Sequence, residues 1–407
     1  MNELKIGILN AHNTLNYGSM IMCENTIYYL SKFLHDAHFV VLSNLVEETE
    51  SRLRKAIGCN HIEVRSRTTS FHTKKVQKGI SILIDQALLR YRNVIKQFND
   101  CHVIIVLGGD DISEYYGSVR LLDILLRLNY LKKAEKKLYL LGQSIGPIHS
   151  WRVVIAKRVL NRMDKIYHRG YRSYNYVTDV LGVKNNSFLS SDLAFLDLPR
   201  QSEAFDIEKF GIQHQRYITF VPSGFWSLYC EDDTRYFEGL LNITNYLSEE
   251  CKKRDMKLVL LPHVLRTSDD RSLVKQMMTA GIGNENIVAV TDVLLPYEAR
   301  VILGSSYFVV TQRMHGAISS LQKGVPAISL SYSEKFSEVI GSYLDLPELV
   351  VEIRKAHFGD DIDKTSSAID WCLQNMATFK ARIEKAVIKA KRDALFQIED
   401  LAKDIIS

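Results

Sequence analysis

Phe308-Val309-Val310-Thr311-Gln312-Arg313-Met314-His315-Gly316-Ala317-Ile318-Ser319-Ser320-Leu321-Gln322-Lys323-Gly324-Val325-Pro326 runs an apolar strand into an Arg-x-His-Gly turn and then into a short helix stopped by Gly324 and Pro326. A second apolar run, residues 327–331, follows at once. Strand, helix and strand in that order form one unit of a parallel sheet with helices on its faces. Ligands of such sheets gather beyond the carboxyl ends of the strands. The first turn of the helix offers unpaired N–H groups and the positive end of a dipole, which suits an anion. Arg313 adds a planar fork for carboxylate or phosphate, and His315 adds a group that exchanges a proton near neutral pH. The stretch therefore predicts an anion-handling site.

Working outward, the same alternation recurs on both sides. In the first half the strand candidates are residues 5–11, 38–43, 102–108, 137–143 and 164–169, with helical patterns over 20–34, 118–136 and 151–163. A polar stretch over 199–215 reads as an interdomain linker. The alternation then restarts, with strands over 217–222, 257–262, 286–290, 307–311 and 327–331. Helices over 234–253, 269–280, 296–303 and 334–343 separate them. The pattern predicts an α/β protein of two doubly wound, Rossmann-like domains, residues 1–199 and 200–360. A long helical segment over 361–407 is expected to pack back across them.

The composition excludes several classes. At 407 residues the chain is long enough for two cores, and 46% hydrophobic with 24% charged residues is ordinary for a globular protein. A net charge of +5 is mild and comes without the basic stripe or aromatic-basic interleaving of a nucleic-acid binder. Six scattered cysteines, none in a C-x-x-C pair, predict free thiols rather than a disulfide framework or a metal site. The N-terminus enters a strand directly and no apolar run reaches the ~20 residues of a membrane span, so a cytoplasmic protein is expected. The basic C-terminal helix reads as a solvated face and leaves open a peripheral contact with the inner face of the membrane.

Several other loops follow predicted strands. Residues 10–20 hold Asn13, Asn16, Gly18 and Ser19; these suit an anion or sugar hydroxyls, and equally suit any strand-to-helix turn. Gly108-Gly109-Asp110 allows close backbone approach, with Asp110 as a base or as a helix cap. Gln143 and Ser144 offer hydrogen bonds within a Gly-Gln-Ser-Ile-Gly-Pro turn that structure alone also explains. Arg169 ends a strand, and Arg172 opens a helix where a cation is unfavourable unless an anion offsets it. Ser190-Ser191-Asp192 reads as a cap. In the second half Ser223, His263 and Lys335 follow strands of the sheet that carries Arg313 and His315.

In their order, Asn16-Tyr17-Gly18-Ser19, Gly108-Gly109-Asp110, Gly142-Gln143-Ser144-Ile145-Gly146-Pro147, Arg169 with Ser173, Ser191-Asp192, Leu261-Pro262-His263 and Thr311-Gln312-Arg313-Met314-His315-Gly316 resemble the polysaccharide pyruvyl transferase family. The resemblance covers roughly residues 6 to 340. It implies a two-Rossmann-domain fold of the GT-B type. It also implies transfer of the enolpyruvyl group of phosphoenolpyruvate onto a sugar of a surface glycan or its precursor, giving a pyruvate ketal. His315 would then be the acid, Arg313 a cation at the reacting phosphate and Asp110 a base. Arg169, Arg172, Ser223, His263, Thr311, Gln312, Gly316 and Lys335 would line the donor side. Asn13, Asn16, Gly18, Ser19, Gly109, Gln143 and Ser144 would line the acceptor side. The chemistry demands no metal and no cofactor beyond the donor substrate. The expected partner is a glycan or a lipid-linked or nucleotide-linked sugar, not a nucleic acid. Where the family often has a third glycine this chain has Asp110, and where many members have serine it has Gln312. Two other readings suit the same fold: a glycosyltransferase using a nucleotide sugar, and a non-catalytic glycan-binding protein.

Overall fold

The computed structural model describes residues 4–11, 13–67, 93–266, 268–280, 285–353, 355, 358 and 362–407. Contacts divide the chain into two compact units. The first gathers Met1–Thr14, Met22–Ser190 and Leu395–Ser407; the second gathers Leu15–Ile21 and Ser191–Ala394.

The first unit holds a parallel sheet of β1 (Lys5–Leu9), β2 (His38–Ser43), β3 (Ile62–Ser66), β4 (Val103–Val106), β5 (Lys137–Gln143), β6 (Lys165–His168) and β7 (Ser187–Leu189). Its order is β3-β2-β1-β4-β5-β6-β7. The central β4 reads Val-Ile-Ile-Val with every residue buried, as a strand covered on both faces must. The Ser118–Lys133 helix turns Leu121, Ile124, Leu125, Leu128 and Leu131 into this core, a three-and-four spacing that keeps one apolar stripe on the sheet.

The second unit repeats the plan with β8 (Tyr217–Val221), β9 (Lys257–Leu260), β10 (Ile287–Ala289), β11 (Phe308–Thr311), β12 (Ala327–Ser331) and β13 (Val350–Glu352). All pair in parallel in the order β10-β9-β8-β11-β12-β13. Strand order reverses between β8 and β11, where Val310 pairs with Phe220 and Thr311 with Val221. Connections leaving a sheet in opposite directions at such a point open a crevice at the strand ends. The loops after β8 and β11 therefore emerge side by side.

The two sheets and their helices follow the expected alternation, with instructive differences. The first helix begins at Tyr17 rather than residue 20 and runs to Ser31. The Val46–Ile57 helix and strands β3, β7 and β13 occupy stretches that carried no expected element. The expected helix over 334–343 is a short turn, Glu334–Phe336, that widens into a π-type coil over Ser337–Tyr343. The C-terminal segment is two helices, Ile362–Gln374 and Met376–Ile406, with Asn375 between them. Among the described residues no helix is long and apolar enough to cross a membrane.

Candidate active site

The crevice of the second sheet is organised around Asp270, the first residue of the Asp270–Thr279 helix and fully buried. Its Oδ1 accepts from the Gly224 N–H (2.8 Å), in the loop after β8. Its Oδ2 accepts from the N–H groups of His263 (3.3 Å) and Val264 (2.8 Å), after β9. Arg313, after β11, lays one edge of its guanidinium on the same carboxylate, Nε to Oδ2 at 3.0 Å and Nη2 to Oδ1. Nη2 also donates to Ser268 Oγ (2.7 Å). Burial works against the charge of Arg313, and the Asp270 carboxylate more than offsets it, so its pKa rises. Arg313 is thus not the wholly free fork that the sequence suggested. Its Nη1 has no hydrogen-bond partner among the described residues, and the guanidinium carbon lies 5.1 Å from the centre of the Phe225 ring.

Thr311 aims the turn. Its buried Oγ1 accepts from the Arg313 N–H (2.9 Å) and donates to the Arg313 carbonyl (3.0 Å), a local bond that ends the strand. The Met314–Gln322 helix then starts, and its first turn has N–H groups with no intrahelical acceptor. Gly316 sits in that turn, where a Cβ would lie 2.8 Å from Thr311 Oγ1.

His315 projects from the same turn between two walls. Its Nε2 lies 3.5 Å from Oδ2 of the buried Asp192. On its other side is Gly18, in the first turn of the Tyr17–Ser31 helix, where a Cβ would fall 2.2 Å from His315 Nδ1. Only glycine lets that helix lie against the ring. Asn16 caps the helix by accepting from the Ser19 N–H (3.4 Å) and bridges to Val264. Tyr17 donates its N–H to the His263 carbonyl (3.2 Å) and meets the His263 ring edge-on at 5.4 Å. Hence Asn16, Gly18 and Ser19 stand with His263, Arg313 and His315 in one unit.

Ser223 and Gln312 lie beneath this surface, both fully buried. Gln312 Oε1 accepts from the Ser223 N–H (2.8 Å) and the Tyr236 hydroxyl (3.0 Å), and Ser223 Oγ accepts from the Phe225 N–H (3.2 Å). They hold the β8 and β11 loops together. Lys335 donates to the Tyr332 hydroxyl at 2.5 Å and is part-buried.

The remaining candidates belong to the first unit. Asp110 accepts from the Tyr116 hydroxyl on both carboxylate oxygens (3.1 and 3.0 Å) and caps no helix. The glycines serve the backbone: a Cβ on Gly108 would fall 2.0 Å from the Gly142 carbonyl oxygen, and the Gly109 carbonyl accepts from the Ser144 N–H (2.9 Å). Gln143 spends its Nε2 on the carbonyls of Val106 (3.0 Å) and Leu141 (3.2 Å). Ser144 Oγ accepts from Nε of Arg169 (2.9 Å), whose side chain is almost wholly buried. Arg172 lies on the exposed face of the Tyr171–Asn175 helix. Asn13 also falls in this unit, half-buried.

Two buried histidines carry a pH consequence. Burial pushes His168 down from 6.5 to about 3. His263 falls well below the usual range through burial first, then through the charges of His315, Arg313 and Arg300. In the unfolded chain each takes a proton near pH 6.5, and in the folded chain neither does. Stability is therefore full above about pH 6.5 and drains as the pH falls below it, by about 1.4 kcal/mol per unit for each histidine. Denaturation midpoints measured between about pH 7.5 and 5 should fall, and less steeply in His168→Asn. An equal acid slope in the variant refutes the assignment to His168.

One residue of this site was not singled out from the sequence, and another entered only as a cap and as part of the resemblance. Asp192 was read as a cap, which it is, since its Oδ1 accepts from the Ala194 N–H (2.9 Å); its second oxygen faces His315. Asp270 sat unremarked at a helix start. A carboxylate at a helix start carries no mark of a partner more than 40 residues away.

A protein of amylovoran biosynthesis from Erwinia amylovora is 22% identical over 94% of this chain and 95% of its own length. A Listeria monocytogenes structure assigned as a UDP-N-acetylglucosamine 2-epimerase superposes with a TM-score of 0.62 at 11% identity, covering 97% of this chain and 94% of that one. The Neisseria meningitidis UDP-GlcNAc 2-epimerase bound to UDP-GlcNAc gives 0.58 at 11% identity, covering 98% and 99%. These likenesses show the GT-B-like fold of two Rossmann-like domains. The pattern of the polysaccharide pyruvyl transferases matches residues 16–334, a span that takes in the Gly18 turn and the Arg-x-His-Gly turn. This chain belongs to the polysaccharide pyruvyl transferase family.

Proposed function

We propose that this protein moves the enolpyruvyl group of phosphoenolpyruvate onto two hydroxyls of a sugar, in a surface polysaccharide or its lipid-linked or nucleotide-linked precursor, to form a pyruvate ketal. The observation that carries the reading is one strand end presenting the Nη1 edge of Arg313, the open N-terminal turn of a helix and His315 together. A donor with carboxylate and phosphate groups needs a cation and N–H donors at the same place.

In this reading His315 gives its proton to the methylene carbon of the donor, which becomes a methyl group as positive charge develops on the neighbouring carbon. One sugar hydroxyl adds there and loses its proton, phosphate leaves, and the second hydroxyl closes the ketal with loss of its own proton. Asp110 is the proposed acceptor of a hydroxyl proton. Arg169 and Arg172 are proposed to bind anionic groups of the donor.

Thermal unfolding tests the donor. At about 100 times its dissociation constant, phosphoenolpyruvate should add about 2.7 kcal/mol to stability. Arg313→Lys, which keeps a cation beside Asp270 and loses the fork, should abolish most of that gain. Phosphate release should require the sugar. Stabilisation by a nucleotide sugar with none by phosphoenolpyruvate would replace this reading with a glycosyltransferase.

A further inference from the structure

The Ser118–Lys133 helix and the Arg152–Leu160 helix lie side by side on the first sheet, and both turn their apolar stripes into the same core. They run in the same direction. At their starts Arg152 Nε donates to Glu114 Oε1 (2.5 Å), as does the His149 N–H (3.1 Å). At their ends Arg162 hydrogen-bonds Asn129. Their outer sides therefore form one surface. Among the described residues fifteen large hydrophobic side chains are exposed, and five of them fall between residues 115 and 154. Val119 is 82% exposed, Trp151 59% and Val154 61%, with Tyr115 and Leu126 beside them. Single exposed apolar residues need no explanation, but a cluster does. Trp151, Val154 and Arg158 follow one another at helical spacing along the outer side. Charge is concentrated here too. Ser118–Lys133 and residues 148–163 hold eight Lys and Arg residues against Asp123 alone, while the whole chain is only +5, so the rest of it is net negative. Asp111, Glu114 and Asp164 at the rim pair with Arg120, Arg152 and Lys132. Even with these acids counted the surface stays positive. Lys157, Arg158 and Arg162 have no acidic partner among the described residues.

We propose that this surface docks the protein on a membrane with acidic phospholipid headgroups. Trp151 and Val154 enter the headgroup layer, and Lys157, Arg158 and Arg162 lie against the phosphates. A tryptophan ring suits that boundary, being apolar with one polar edge. The long basic side chains cover apolar surface with their stems while their charges reach the anions. A helix of 9 residues is far too short to span a bilayer, so it lies in the plane of the interface. Charge selects the occupant. Two copies of this chain meeting through the same face would set like charges against each other, whereas an anionic surface complements them. The basic C-terminal helix, the membrane contact suggested by the sequence, lacks such a cluster: its exposed Ile388, Phe396 and Ile406 stand two or more turns apart. The two docking helices grow from the loops after β4 and β5, which hold residues 108–110 and 143–144, so docking brings those loops toward the bilayer. Docking here does not depend on the pyruvyl reading. Where both hold, the lipid-linked form of the sugar acceptor is the one favoured.

Vesicle flotation of the full chain tests the docking. The protein should bind vesicles of phosphatidylcholine with about one third phosphatidylglycerol, and scarcely bind phosphatidylcholine alone. Raising the salt from about 0.1 to 1 M, which shortens the screening length from about 10 to 3 Å, should remove most of the binding. Lys157→Gln with Arg158→Gln should weaken it about 25-fold, about fivefold for each charge. Trp151→Ser with Val154→Ser should weaken it at least about tenfold at unchanged charge. All four residues are exposed, so the melting temperature should scarcely move in either variant. Lys380→Gln with Lys385→Gln, on the C-terminal helix, should bind as the wild type does. Equal binding to both kinds of vesicle, or an equal loss in the C-terminal variant, overturns the proposal. So does a wild-type dimer in sedimentation velocity that Trp151→Ser with Val154→Ser abolishes, since that would give the face to a second copy. Vesicle binding as expected in a protein that releases no phosphate from phosphoenolpyruvate would support the docking and sink the pyruvyl reading alone.

Discussion

Asp270→Ala should destabilise the protein by about 3–5 kcal/mol, the loss expected when one member of a buried ion pair is removed. The substitution leaves Arg313 charged, with its side chain only 11% exposed. It also strips the acceptor from the N–H groups of Gly224, His263 and Val264, in the two loops after β8 and β9 that meet at this carboxylate. A loss of that size is a large fraction of the about 5–15 kcal/mol that holds a typical domain together. Urea unfolding of the whole chain measures it. The contrasting variant is Asp255→Ala, whose partner Arg216 forms a pair at the surface with Asp255 95% exposed. Exposed pairs contribute little, so that midpoint should scarcely move. Equal effects from the two variants would show that Asp270 is not the hub of the crevice.

Gly18→Ala should cost at least about 100-fold in kcat while changing stability by no more than about 1 kcal/mol. Two effects compete. Alanine favours a helix over glycine by about 1 kcal/mol, and residue 18 is in the first turn of the Tyr17–Ser31 helix. Against that, the new Cβ would stand 2.2 Å from His315 Nδ1, a distance no real contact tolerates. The ring is the end of a side chain with two rotatable bonds, so it moves before the helix does. A displacement of about 1 Å at a reacting group costs on the order of 100-fold. Steady-state kinetics beside a melting scan checks both halves. Retention of kcat within about threefold would remove His315 from the chemistry.

The alternating architecture was legible because the central strands are continuous apolar runs, as in Val103–Val106 and Phe308–Thr311, set between long helical patterns. The elements that escaped notice lie mostly at sheet margins. β3 reads Ile-Glu-Val-Arg-Ser, and β7 and β13 are three residues each, too short for a period to register. The Val46–Ile57 helix buries only Thr49, Leu53, Ala56 and Ile57, so its polar residues mask the apolar stripe. In the crevice the residue types at Arg313 and His315 announced an anion and a proton. Their partners could not be announced in the same way. Asp192 stands 123 positions from His315 and Asp270 stands 43 from Arg313, and a lone aspartate at a turn looks the same whether or not a second oxygen has a distant neighbour. Gly18 shows the same limit. Its need for glycine comes from a ring almost 300 residues further on.

Leu15–Ile21 belongs with Ser191–Ala394, although it is made first. During synthesis, at roughly 5–20 residues per second, the turn carrying Gly18 waits roughly 15–60 s for the ring it will flank. Pairings between such distant parts of a chain raise contact order and slow folding. The crevice that carries His315 is therefore completed late, and from its oldest end. A chain begun after residue 21 would keep Asp192, Asp270, Arg300, Arg313 and His315, and would still lack one wall of the histidine.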